Sequence, residues 1–132
     1  MTFSQEFAQF LSGKKAIGCS KDEVSQLENK FKVSFDSNYR EFLLKAGKGV
    51  SDLWSGSDYK LEMLALMQEA AFELLSAEEL DMPNGSFVFY MHQGYQFYLF
   101  NDEGVFYFHE GDKRLEKGFS NFGEFFLDSL TW

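Results

Sequence analysis

The sequence predicts an α+β fold, an antiparallel β-meander sheet packed by N-terminal helices, a central helix and a C-terminal helix. Two patterns and one compositional fact predict it. Apolar residues near both ends recur at helical spacing, whereas three aromatic runs after Gly85 are joined by short, polar, glycine-bearing links. Seventeen Phe, six Tyr and two Trp among 132 residues supply the material for one well-filled core. A chain of this length is read as a single domain over residues 1–132, able to bury roughly 65–70% of its unfolded surface without staples.

Phe3, Phe7, Phe10 and Leu11 keep 3.6-residue spacing, and Gly13 ends the run. Ser20 and Glu23 form a capping-box pair ahead of Val24, Leu27 and Phe31. Asp36 can cap a third helix whose apolar face is Tyr39, Phe42, Leu43 and Ala46, with Gly47 or Gly49 stopping it. Leu53–Trp54 and Tyr59–Leu64 read as short strands about the turn Ser55-Gly56-Ser57-Asp58. A central helix is expected between about Met67 and Leu80, where Ala, Glu and Leu dominate. Pro83-Asn84-Gly85 breaks the chain, and the strands Ser86–Met91, Tyr95–Phe100 and Val105–Glu110 follow, linked through His92-Gln93-Gly94 and Asn101-Asp102-Glu103-Gly104. Ser120 is expected to cap a last helix carrying Phe122, Phe125, Phe126 and Leu130. Alternation in the strands is poor, so aromatic rings occupy both faces of the sheet. Helices can cover one face; the other needs a loop over it or stays as an exposed aromatic surface open to a partner or to self-association.

Charge is segregated along the chain. From Leu61 to Asp112 there is no lysine or arginine, but there are ten carboxylates. Residues 1–57 hold 8 cations and 7 acids, whereas residues 58–132 hold 4 cations and 14 acids. Such a half repels nucleic acid and anionic membrane and attracts a basic protein; the plain alternative is a solubilising acidic face. Chemistry-bearing motifs are missing. Neither G-x-G-x-x-G nor G-x-x-x-x-G-K-[ST] occurs, nor does G-x-S-x-G, and His92, His109 and Cys19 are too few and too scattered for a zinc site. With 21 acids, no carboxylate pair stands out as a general acid and base, so no catalytic residue, metal or cofactor is assigned. A single cysteine excludes an internal disulfide and suits a reducing compartment. No cationic, apolar leader opens the sequence and no stretch approaches about 20 apolar residues, so a cytoplasmic location is expected.

Several short motifs stand in a set order. Val24-x-x-Leu27-Glu28-x-x-Phe31 is followed by Val33-Ser34-Phe35-Asp36-Ser37-Asn38-Tyr39-x-x-Phe42-Leu43 and then Gly47-x-Gly49. Met82-Pro83, Tyr98-Leu99-Phe100, Gly104-Val105-Phe106-Tyr107 and Ser120-x-Phe122-x-Glu124-Phe125-Phe126-Leu127 complete the series. The series resembles the SUKH superfamily, which includes fungal Smi/Knr-type cell-wall regulators and many bacterial immunity proteins. Asp36 stands where that family usually has Pro, and Gly47-Lys48-Gly49 replaces its usual Asn-Gly-Gly. A capping Asp starts a helix as well as Pro does at the first turn. The resemblance implies a non-enzymatic, cytoplasmic binding protein that neutralises a cognate bacterial toxin, with a basic nuclease-type toxin matching the acidic half. Its alternatives are a housekeeping interaction module of the Smi/Knr type and a small-ligand binder. The partner-binding candidates are the turn and edge acids Asp102, Glu103, Glu110 and Asp112, with Tyr95, Tyr98, Tyr107 and Trp54 as aromatic anchors. For each tyrosine the alternative is ordinary core packing.

Overall fold

Side-chain caps set where four of the five helices begin in the computed structural model, which describes residues 1–132. Thr2 and Gln5 close a capping box over α1 (Phe3–Leu11), and Ser20 and Glu23 close another over α2 (Lys21–Phe31). Between them runs the two-residue strand β1 (Ala16–Ile17). Asp36 accepts a hydrogen bond from the Tyr39 amide at 2.8 Å and so opens α3 (Ser37–Ala46), as its place in the motif anticipates. The link between α2 and α3 is held by Glu28. Its Oε2 accepts from the Phe35 amide at 2.8 Å and from Arg40 Nη2 at 2.7 Å. The Leu-Glu pair of the motif therefore has a structural reason: Leu27 enters the core and Glu28 fixes the corner after it.

β2 (Gly49–Val50) pairs with β1, and β3 (Ser57–Asp58) opens the main sheet. α4 (Leu61–Ser76) comes next, followed by β4 (Phe87–His92), β5 (Gln96–Asn101), β6 (Gly104–His109), β7 (Glu116–Phe119) and α5 (Phe122–Ser129). The sheet is antiparallel throughout in the order β3-β4-β5-β6-β7. A bulge between Val88 and Tyr90 sends two successive residues to the same helix: Phe89 and Tyr90 both pack on Phe125, with centroids 4.9 Å and 5.8 Å from it. The weak alternation of β4 is the trace of this bulge.

Both sheet faces are covered. α3 and α5 close one through Tyr39, Phe122 and Phe125, which meet Phe87, Phe89 and Phe100 edge to face or tilted. α4 lies on the other, and its buried Leu64, Met67, Ala71 and Leu75 join Phe97, Leu99 and Phe108 in one core. α4 also guards an edge. β3 pairs only with Met91 and His92, so the Val88 backbone would be open; the Gln68 carboxamide accepts from Val88 N at 2.8 Å and donates to Val88 O at 2.6 Å.

Several sequence expectations are corrected. The expected strand Tyr59–Leu64 is mostly helix, because α4 starts at Leu61, six residues before the expected start. The apolar run Leu61, Met63, Leu64 mimics a strand, yet Leu64, Met67, Ala71 and Leu75 carry the helical period that wins. Leu53–Trp54 is not a strand but part of a tight turn in which Asp52 and Trp54 have φ of 62° and 47°. α5 is capped by Asn121, whose side chain accepts from the Glu124 amide, rather than by Ser120, whose amide is bonded by the Glu124 carboxylate. β7 is an additional strand, polar enough at Glu116-Lys117-Gly118 to read as loop. No open aromatic sheet face remains; what is left exposed is one end of the face beneath α5.

Candidate partner-binding surface

Where α5 ends, the sheet stops being covered. Tyr90, His92, Gln96, Tyr98, Tyr107 and Trp132 line a concavity of about 410 Å³ there. β4, β5 and β6 position its floor through register: Tyr90 stands opposite Tyr98, and Tyr98 opposite Tyr107. Trp132, just past α5, forms the wall and is 59% exposed. A second cavity of about 450 Å³ adjoins it, sharing Tyr90, His92 and Trp132 and adding Trp54, Ser57, Asp52 and Leu130.

Hydrogen bonds hold the lining side chains in place. Tyr107 donates its hydroxyl to Gln96 Oε1 at 2.6 Å. Ser57 Oγ donates to the Tyr90 hydroxyl at 2.9 Å, and His92 Nδ1 lies 2.8 Å from Ser57 Oγ. Trp54 Nε1 donates to Ser129 Oγ at 2.8 Å, and Ser129 in turn donates to the Phe126 carbonyl at 2.6 Å. Burial pushes the Tyr98 phenol up to about 12, with Tyr107, Tyr90 and Asp128 adding to the effect. Tyr107 is also raised, by burial first and then by Asp112. Both phenols are therefore neutral hydroxyls at physiological pH.

The predicted site residues divide between two ends of the sheet. Tyr98 and Tyr107 meet in the concavity with centroids 4.9 Å apart, and Trp54 lines the cavity beside it. Tyr95 sits at the same end, 5.9 Å from His92 and 5.2 Å from His109 by ring centroids, and its carbonyl accepts from the Glu110 amide at 2.7 Å. Asp112 stands beside Tyr107, and its Oδ2 accepts from the His109 amide at 2.9 Å, closing the β6–β7 link. Asp102 and Glu103 form the two-residue β5–β6 turn at the far end of β6. Six strand residues at about 3.3 Å each separate the two acidic pairs by about 20 Å. Asp112 thus stands beside the concavity, whereas Glu110 faces the C-terminal part of α4 and Asp102 and Glu103 lie at the far end. Sequence reading missed Tyr90, His92, Gln96 and Trp132, whose convergence requires the register and the path of the chain after α5.

Basic residues of the first half pair with acids of the same half. Lys14, Arg40, Lys45 and Lys48 pair with Asp52, Glu28, Glu41 and Glu23, all within the first half of the chain. In the lysine- and arginine-free window only Glu78 is paired, with Lys113 at 2.6 Å. Glu62, Glu69 and Glu73 stand exposed on the outer side of α4, with Glu79 and Asp81 beyond it. Leu66 and Phe72 lie among those glutamates, 57% and 61% exposed. No three His, Cys, Asp or Glu side chains converge to hold a metal ion, and no helix is long and apolar enough to cross a membrane.

These features define a class: a small α+β protein whose five-stranded antiparallel meander is closed by helices on both faces and bears an acidic surface with an aromatic recess. A family model described as the SMI1 / KNR4 family (SUKH-1) matches residues 18–128, and the chain belongs to that family. A search of curated proteins gave no match.

Proposed function

We propose that the chain is a non-enzymatic binding protein that captures a cationic protein, and that this partner is a cognate bacterial toxin which it neutralises inside the producing cell. The observation that carries the reading is the unneutralised acidity. Nine of the ten carboxylates between Leu61 and Asp112 have no basic side chain within ion-pair distance. Net charge of that kind repels itself and disfavours compaction, so leaving it unpaired fits a gain elsewhere, namely fast encounter with an oppositely charged partner. A toxin that acts on nucleic acid carries a basic cleft and matches this surface. Membership of a family with immunity proteins supports the same reading. The test is co-expression. Cells producing the toxin-like product of a neighbouring gene should survive when this chain is present and die without it, and the two proteins should co-purify at low salt. Survival that does not depend on this chain, or co-purification with no cationic protein, contradicts the proposal.

A further inference from the structure

We propose that the concavity of Tyr90, Tyr98, Tyr107 and Trp132 seats a guanidinium group, the side chain of one arginine on the protein partner. This rests on the proposed capture of a cationic protein for its source of arginine, but its chemistry can be tested apart from that partner. Four aromatic rings converge on one recess. Tyr90 stands nearly perpendicular to both Tyr98 and Trp132, at 76° and 87°, with centroids 5.6 Å and 5.9 Å away. Tyr98 and Trp132 are inclined by only 31° at 5.9 Å, and Tyr107 closes the side at 4.9 Å from Tyr98. All four rings border the one recess, and a ring face is where the negative quadrupole attracts a cation.

The oxygen atoms of the recess agree in sign. The Gln96 carboxamide oxygen and the phenolic oxygens can accept from a guanidinium. Behind the wall, Asp128 Oδ2 accepts from Trp132 Nε1 at 3.1 Å, and Asp112 stands beside Tyr107, so carboxylates back the aromatic lining on two sides. The chain does not fill the recess with a cation of its own. Its cation–ring contacts are Lys14 over Phe10 and Lys30 over Phe31. Lys113 and Arg114, on the outer side of Tyr107, are paired with Glu78 and Glu116. Arginine fits better than lysine because its ion is planar, weakly hydrated and able to stack and donate at once, whereas an ammonium gives up more hydration on entering an aromatic site.

The experiment titrates the protein with N-acetyl-arginine amide and, separately, with its uncharged analogue N-acetyl-citrulline amide, following ring-proton resonances by NMR. One cation–π seat supports binding of about millimolar strength or weaker. Tyr98, Tyr107 and Trp132 signals should shift saturably with the arginine amide, and the citrulline amide should bind about tenfold more weakly. Tyr98 packs on Phe125, so the exposed Trp132 is the residue to change. Trp132→Leu should weaken arginine-amide binding severalfold, and Trp132→Phe should restore most of it. Equal shifts with both amides, or no shift at these rings, overturns the seat. Once a cationic partner is in hand, equal affinity for wild type and Trp132→Leu overturns the seat but leaves the capture function standing. If no cationic partner is captured while the arginine amide is still distinguished from citrulline, the seat stands and the proposed function fails.

Discussion

Removing the Glu28 carboxylate tests the corner on which the helical layer turns. In Glu28→Ala the Phe35 amide loses a charge-assisted bond of 2.8 Å and Arg40 loses its 2.7 Å partner. A part-buried amide left without its carboxylate costs about 1.5–3 kcal/mol. The ion pair adds little, because Arg40 is 40% exposed and Glu28 15%, so solvent screens it to about 0.5 kcal/mol. The total is about 2–3.5 kcal/mol, which for a domain of this size lowers Tm by about 8–14 °C. Arg40→Ala should cost under about 1 kcal/mol, because the amide bond survives. Glu28→Gln should cost about 1 kcal/mol, since its carboxamide oxygen still accepts from Phe35. Urea unfolding of the three variants measures the order directly. A Glu28→Ala variant within about 0.5 kcal/mol of wild type, or an Arg40→Ala variant as damaging as it, would refute the view that Glu28 acts through the backbone.

Three further outcomes follow from the geometry. A Cβ at Gly18 would stand 1.8 Å from the Leu44 carbonyl oxygen, a backbone atom that cannot yield locally. Gly18→Ala should therefore destabilise by several kcal/mol, about 3 or more, or abolish folding, as read by circular dichroism and soluble yield. Burial pushes the Cys19 thiol up to about 11, aided by Glu23 and opposed by Lys48. Its thiolate fraction falls about a hundredfold, so Cys19 should resist a disulfide reagent at neutral pH until urea unfolds the chain. In the acid range, Glu23 is held below its ordinary value of 4.5 by the Ser20 amide and Lys48. Burial pushes Glu41 up, but the Ser4 hydroxyl and Lys45 outweigh it and leave it lowered as well. Groups with lowered folded pKa add stability that is present above their unfolded values and lost as pH falls through the folded ones. The pair Glu23→Gln and Glu41→Gln should therefore flatten the fall in urea midpoint below about pH 4.5 and change its slope little near pH 7.

What the sequence revealed and what it hid follow the range of the forces involved. Ser20, Glu23 and Asp36 act on amides within three residues of themselves, so their caps were legible, as were the hairpin links at Gly94 and Gly104. The boundary of α4 was not, because Leu61, Met63 and Leu64 satisfy a strand pattern locally and only the later Met67, Ala71 and Leu75 decide in favour of a helix. β7 escaped notice because Glu116, Lys117 and Gly118 are exposed on an edge strand, where hydrogen bonding to β6 and not side-chain burial makes the strand. At the candidate surface, Tyr98 and Tyr107 could be chosen as aromatic strand residues. Their meeting with Trp132 depends on where the chain runs after α5, and the Trp54–Ser129 bond joins residues 75 apart, so neither left a local pattern to read. The separation of Asp102 and Glu103 from Glu110 and Asp112 is a matter of strand length, since successive hairpin turns fall at opposite ends of a meander.

The central claim is that an unpaired anionic surface draws in a cationic protein. Stopped-flow association of the purified chain with its captured partner, repeated over a range of ionic strengths, measures that attraction directly. The account predicts an association rate that falls at least about tenfold between low salt and physiological salt, with a dissociation rate that changes far less. An association rate that stays level or climbs as salt is added would contradict it.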